Sequence, residues 1–292
     1  MKRSYGLILA AGTLWGCISV FFRMLTGAGF TPLQAVTLRV FVAAAVFALY
    51  LLIRDRAAFR IRLRDIPLFL GTGILSLAAF NFCYFTSIEL SSVAVAAVLL
   101  YTAPVFVMLL SALVFGERIT PRKAAALVIT FIGCMLVTGV LGGAERLAPA
   151  AVLYGVGSGL GYALYSIFGK LALKKYRSET ITLYTFVFAF IGVAPFSRLT
   201  PGTLAAMPWT AVLGALGLGI VCCVLPYITY TKGLEGVEPG RAAIIATVEP
   251  VVASIIGAAV FREPFTVAKT AGILLVLGAI VILNVKGKKD LQ

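Results

Sequence analysis

Long apolar stretches separated by short polar or basic connections set the pattern of this chain. A helix needs about twenty apolar residues to cross a hydrocarbon layer. The uncharged runs Ser4–Phe22, Ile66–Ile88, Leu90–Gly116, Ala124–Ala144, Leu147–Gly169, Thr180–Ser197 and Leu199–Thr231 all meet or approach that length. Three further segments, near 33–53, 239–261 and 266–286, keep the apolar character around interruptions at Arg39, Glu249 and Lys269. The pattern therefore predicts ten membrane-spanning helices and no extramembrane domain large enough for its own core. Met1-Lys2-Arg3 ahead of the first run looks like the basic start of a secretory signal. The run is as long as a full span, however, and no A-x-A-like cleavage site follows, so the first helix is expected to be retained.

Composition supports lipid as the main solvent. Hydrophobic residues make up 61% of the chain and charged residues 12%, against about 45–50% and 25% in soluble domains. The net charge of +14 would suggest a nucleic-acid partner until its placement is read. On the ten-helix map, nineteen basic residues fall on the side of Lys2 and Arg3, among them Arg54, Arg56, Arg60, Arg62, Arg64, Lys123, Lys170, Lys286, Lys288 and Lys289. Only Arg146, Arg198, Arg262 and Lys269 fall on the other. That asymmetry follows the positive-inside rule and predicts a multi-pass protein of the bacterial inner membrane with both termini cytoplasmic. Topology accounts for the charge without a nucleic-acid partner. The five cysteines, Cys17, Cys83, Cys134, Cys222 and Cys223, all lie inside predicted spans and read as small packing residues.

The chain also repeats itself. A shift of 146 positions places Tyr84 on Tyr230, Glu89 on Glu235, Pro104 on Pro250, Phe115 on Phe261, Glu117 on Glu263, Thr120 on Thr266 and Lys123 on Lys269. A shift of 147 places Trp15, Ser19 and Arg23 on Tyr162, Ser166 and Lys170. The two halves, 4–143 and 150–287, each hold five predicted helices. Five is odd, so the second half enters the membrane with the opposite orientation. Such inverted repeats allow two halves to exchange conformations and expose one cavity to alternate sides.

Pro104 with Phe115-Gly116-Glu117-Arg118, repeated as Glu249-Pro250 with Phe261-Arg262-Glu263-Pro264, resembles the EamA branch of the drug/metabolite transporter superfamily, as does Leu14-Trp15-Gly16 of the first helix. The resemblance covers essentially the whole chain. It implies an all-α integral membrane fold of ten helices in two inverted five-helix repeats, and export or exchange of small metabolites. Aromatic amino-acid exporters are among the better understood relatives.

Candidate chemistry centres on Glu249. A carboxylate in mid-membrane costs roughly 2.5–3.5 kcal/mol on insertion scales if it faces lipid, so it is expected to face the bundle interior. Pro250 lacks an N–H and leaves the Ala246 carbonyl without its helical donor, putting a free acceptor beside an acid. That site suits a solute amine or a coupled proton. Trp15, Ser19, Asn81, Tyr101, Tyr162, Ser166, Tyr227 and Thr247 are the other candidate binding residues, supplying an apolar but hydrogen-bonding lining. Tyr84 and Tyr230 lie near helix ends and are expected in the interfacial belt. Arg39, two turns inside its helix, is expected to snorkel as a structural residue. Glu117 and Glu263 are expected to pair with neighbouring bases such as Arg118 or Lys269. Glycines at 155, 157, 159 and 161, and at 12 and 16, predict close helix contact, and Pro104 and Pro250 predict bends.

An embedded enzyme would need a nucleophile and base, metal ligands or a carboxylate pair. The chain has no histidine, and no H-E-x-x-H, Walker A or G-x-S-x-G pattern. No cofactor is expected. A channel would show charged rings or a filter. The pattern favours a secondary carrier of small solutes, with aromatic or hydrophobic amino acids leading, multidrug or cationic efflux as the alternative, and proton coupling possible.

Overall fold

A computed structural model describes residues 2–140, 148–264 and 266–284. Arg146, Leu147, Lys286, Lys288 and Lys289, together with the expected repeat ends at 141–143 and 285–287, lie outside the described residues. No strand occurs among the described residues. Among the described residues nine helices are long and apolar enough to span a membrane: α1 (Lys2–Gly27), α2 (Pro32–Arg54), α3 (Leu63–Leu90), α4 (Val93–Phe115), α5 (Pro121–Thr138), α6 (Pro149–Ala172), α7 (Ser178–Phe196), α8 (Trp209–Gly236) and α9 (Pro239–Phe261). A tenth apolar helix, α10, follows at Val267–Asn284. The three charge-interrupted segments are thus helices, as expected.

Local chemistry sets the boundaries. Thr31 and Gln34 form a reciprocal capping box ahead of Pro32 at the start of α2. Ser92 and Thr120 cap α4 and α5 in the simpler way. Gly116 ends α4 in the left-handed conformation at φ 69°, the usual glycine stop. Its repeat mate Arg262 ends α9 with nearly the same geometry, φ 55°, without a glycine's freedom.

The outer surface is lipid-like. Leu113, Ile53 and Leu153 stand more than two-thirds exposed in mid-helix or at helix ends, which in water would be a liability and in a bilayer is the required solvent match. Inside, small residues let helices approach. A Cβ at Gly159 would meet the Thr102 hydroxyl at 2.5 Å, and one at Gly12 would meet the Ala246 carbonyl at 2.7 Å. A Cβ at Gly272 of α10 would lie as close to the Gly133 carbonyl of α5, at 2.6 Å.

The repeat shows in the irregularities. Helix α4 breaks at Tyr101–Thr102 and α9 breaks at Thr247, each just before the matched proline, as expected of residues that cannot donate to the preceding turn. A threonine hydroxyl accompanies each break, Thr102 donating to Leu99 O (2.6 Å) and Thr247 to Ile244 O (2.5 Å). Helices α3 and α8 both carry π-helical stretches, at Gly71–Ala78 and Ile220–Val224. Moving the first by 146 positions places it over the second. A π stretch rotates the side chains that follow it and recurs at functional sites; here those side chains are Asn81 and its repeat mate Tyr227.

Candidate functional site

A cavity of about 550 Å³ lies between α1, α2, α3, α4 and α9, within the usual size range of small-molecule sites. Its mouth is lined by Arg23, Val93, Phe261, Glu263 and Lys269, residues at the end of the bundle opposite Lys2. This will be called the far end, and the end bearing Lys2 and the arginines of 54–64 the basic end. Deeper in, the walls are Trp15, Ser19, Arg39, Asn81, Tyr84, Tyr101, Glu249 and Pro250.

Glu249 follows directly on the break in α9, so its backbone is at a helix start and its side chain is held at the cavity wall. Gly16 of α1 makes that approach possible, since a Cβ there would lie 2.9 Å from the Glu249 carbonyl. The neighbouring Ala246 carbonyl faces Gly12. Helix α1 itself turns at Cys17, beside Trp15.

Arg39 does not snorkel. It is only 8% exposed and lines the same cavity. Its Nε has no hydrogen-bond partner, and among the described residues no carboxylate lies within the 4.0 Å of an ion pair. Arg39 and Glu249 line the same cavity without forming an ion pair. The burial follows from position: α2 packs along α7 and α8, and at that depth the inward face of the helix leaves the side chain no route to the interface.

Below the cavity an aromatic plug fills the path toward the basic end. Trp15 packs on Tyr162, Tyr227 and Tyr230 at ring separations of 6.1, 5.5 and 5.4 Å, and Tyr165 on Tyr227 at 4.9 Å. These are the edge and tilted arrangements that aromatic quadrupoles favour. Two hydrogen bonds pin the plug, between the hydroxyls of Tyr165 and Thr231 (2.6 Å) and of Ser166 and Tyr230 (2.8 Å). Tyr230 is 1% exposed, so the interfacial position expected for it does not hold; Tyr84 likewise faces the cavity.

The expected binding residues therefore divide. Trp15, Ser19, Asn81, Tyr101 and Glu249 meet in the open cavity, while Tyr162, Ser166 and Tyr227 belong to the plug. Thr247 is buried behind Tyr101, in a small pocket that Pro104 also lines.

Ion pairs close the basic end. Lys123 bridges Glu117 (3.6 Å) and Glu238 (2.7 Å), Lys232 meets Glu179 (2.8 Å), Arg177 meets Asp55 (2.6 Å), and Lys170 donates to the Leu234 carbonyl. Lys123 takes the role expected of Arg118, whose carbonyl accepts from Lys123 Nζ (3.1 Å). At the far end Glu263 holds Lys269 (3.8 Å), the repeat counterpart of Lys123–Glu117, and also Arg23 (2.5 Å). The guanidinium of Arg23 sits 3.8 Å over the Phe261 ring.

The model of the EamA-like transporter family matches this chain twice, over residues 2–139 and 149–285. The chain belongs to the EamA-like transporter family. An uncharacterized transporter of Archaeoglobus fulgidus is 31% identical to this EamA-family chain, with 97% of this chain and 96% of the relative covered. The uncharacterized inner membrane transporter YicL of Salmonella typhimurium is 21% identical over 97% of this chain and 95% of its own. A solved crystal structure superposes with a TM-score of 0.83 at 18% identity, covering 97% of both chains, which shows the shared fold. This EamA-family protein is accordingly a multi-pass membrane transporter, with ten helices in two inverted repeats.

Proposed function

We infer that this transporter is a secondary carrier that exports or exchanges small amphipathic solutes by alternating access, aromatic and other hydrophobic amino acids first among them. The observation that carries the reading is the one-sided cavity: hollow toward the far end, filled by the Trp15–Tyr227–Tyr230 plug toward the basic end, with Glu249 on its wall. Trp15, Tyr101 and Phe80 offer an apolar surface of the size of an aromatic side chain. Glu249 holds the solute's amine or carries a coupled proton. Without an ATP-binding motif, the driving force is an ion gradient or the solute's own.

The excess of lysine and arginine assigns the basic end to the cytoplasm, so the cavity faces outward in this state. Inner-membrane residence is supported by the same asymmetry and by the inner-membrane description of the Salmonella relative. Glu117, Glu263, Pro104 and Pro250 serve the frame and gates of the two repeats, 4–143 and 150–287.

Counterflow in proteoliposomes tests this with a panel of amino acids, sugars and cationic drugs, with and without a pH gradient. Accelerated exchange of aromatic amino acids is the expected result. Exchange of cationic drugs alone would favour an efflux carrier, and solute-independent conductance would reject a carrier for a channel.

A further inference from the structure

Resting on the carrier reading, we propose that Arg39 is an anion subsite of the cavity, so that the transported solute is a zwitterion with its ammonium at Glu249 and its carboxylate at Arg39. A guanidinium that is more than nine-tenths buried needs compensation from a carboxylate or a hydrogen-bond network. Arg39 has neither: its Nε is unpartnered, and among the described residues no acid is within ion-pair distance. Glu249 lines the same cavity and forms no ion pair with Arg39. Two opposite charges that line one ligand-sized hollow without an ion pair between them match the charge layout of an α-amino acid backbone. The planar fork of arginine suits a carboxylate bidentately. The rings of Trp15, Phe80 and Tyr101 then surround the remaining side chain.

Competition against labelled phenylalanine in wild-type proteoliposomes tests the subsite, using phenylalanine, phenethylamine and 3-phenylpropionate. Phenylalanine should bind roughly 10- to 100-fold more tightly than either one-charge analogue, the span of one charge-assisted hydrogen-bonded contact. Arg39→Gln should erase its advantage over phenethylamine by weakening phenylalanine without weakening phenethylamine, and Arg39→Lys should restore part of it. Equal loss for both ligands in Arg39→Gln would mark a structural role and overturn the proposal. If that variant does not fold, the wild-type series decides alone: phenethylamine equal to phenylalanine overturns the assignment of Arg39. Absence of transport for every solute of the wider panel would instead overturn the carrier reading beneath it.

A second inference stands on other residues: the geometry points to Ser19 and Tyr84 as the hydrogen-bonded latch of the far end when that end closes. Their repeat mates, Ser166 and Tyr230, already form that bond at the closed basic end (2.8 Å). At the far end Ser19 and Tyr84 both line the open cavity, and the buried Ser19 hydroxyl has no partner. Exchange of conformation between inverted repeats would make one bond as it breaks the other.

The test is an Ala97→Cys reporter on the cavity wall in oriented proteoliposomes, labelled by an impermeant thiol reagent from each side and read by peptide mass spectrometry. Tyr84→Phe should raise the ratio of far-side to basic-side labelling about 2- to 10-fold, the span of one net hydrogen bond. Tyr230→Phe should lower it by a similar factor, and Ser19→Ala should follow Tyr84→Phe. A ratio unchanged by Tyr84→Phe, or moved the same way by both tyrosine variants, would overturn the latch.

Discussion

The far and basic ends of the path are made from matched residues, yet one is hollow and the other filled. At the basic end Tyr230 bonds Ser166, Tyr227 packs edge-on against Trp15 and Tyr165, and Lys123 ties Glu117 to Glu238. At the far end the counterparts Tyr84, Asn81 and Ser19 stand around open space, and the Glu263 cluster with Lys269 and Arg23 spans the mouth. The same kinds of side chain therefore do not fix which end is shut. What differs is whether the helix faces bearing them have met. The inner residues break the symmetry as well: Glu249 occupies the break in α9, and its counterpart in α4 is Ala103, which is 2% exposed. The acid belongs to the second half alone, while the residues around the two ends come from both halves.

The largest expected effect breaks that asymmetry. Glu249→Gln removes the acid and keeps the shape, so counterflow should fall roughly 10- to 100-fold, the worth of a charge-assisted contact, with an unchanged thermal melt. Unchanged transport would remove Glu249 from the site. Next come the two helix breaks. Gly12→Val and Gly159→Val both drive a side chain into a neighbouring break, and each should lower stability by about 1–3 kcal/mol in chemical denaturation. Gly6→Ala, where a Cβ meets nothing within 4 Å, should be neutral or raise stability by up to about 1 kcal/mol. If only one of the two valine variants costs stability, the breaks are not equivalent.

Smaller effects sharpen the contrast between ends. Tyr230→Phe removes a bond made in the plug and should cost about 0.5–1.5 kcal/mol. Tyr84→Phe removes none that exists in this state, so the melt should not move. The smallest effect concerns the helix stops. Arg262→Gly relieves a left-handed residue and should add about 0.5–1 kcal/mol, whereas Gly116→Ala should cost a similar amount. Equal responses at both positions would show that Arg262 is not strained.

Much of the fold was legible because membrane residence writes itself as hydropathy and the duplication as spacing. The ten helices, the inversion and the inward placement of Glu249 all follow from those two signals. Arg39 was misjudged because distance from a helix end measures reach toward the interface and says nothing about which face packs against α7 and α8. The division of the aromatics was hidden for another reason. Sequence matching makes Asn81 equivalent to Tyr227 and Tyr84 to Tyr230, but it carries no statement of which member of each pair is buried in a given conformation. The π stretches of α3 and α8, which orient these residues, leave no periodicity signal in runs that are apolar on every face.

The central claim is that the two ends open in alternation around one cavity. Pulsed electron-spin distances test it directly, with labels at the exposed positions Leu90 and Val267 across the far end and at their repeat counterparts Gly236 and Pro121 across the basic end. On adding a transported solute, the account predicts that one distance shortens as the other lengthens. Two distances that move together, or that both stay fixed while solute is exchanged, would contradict it.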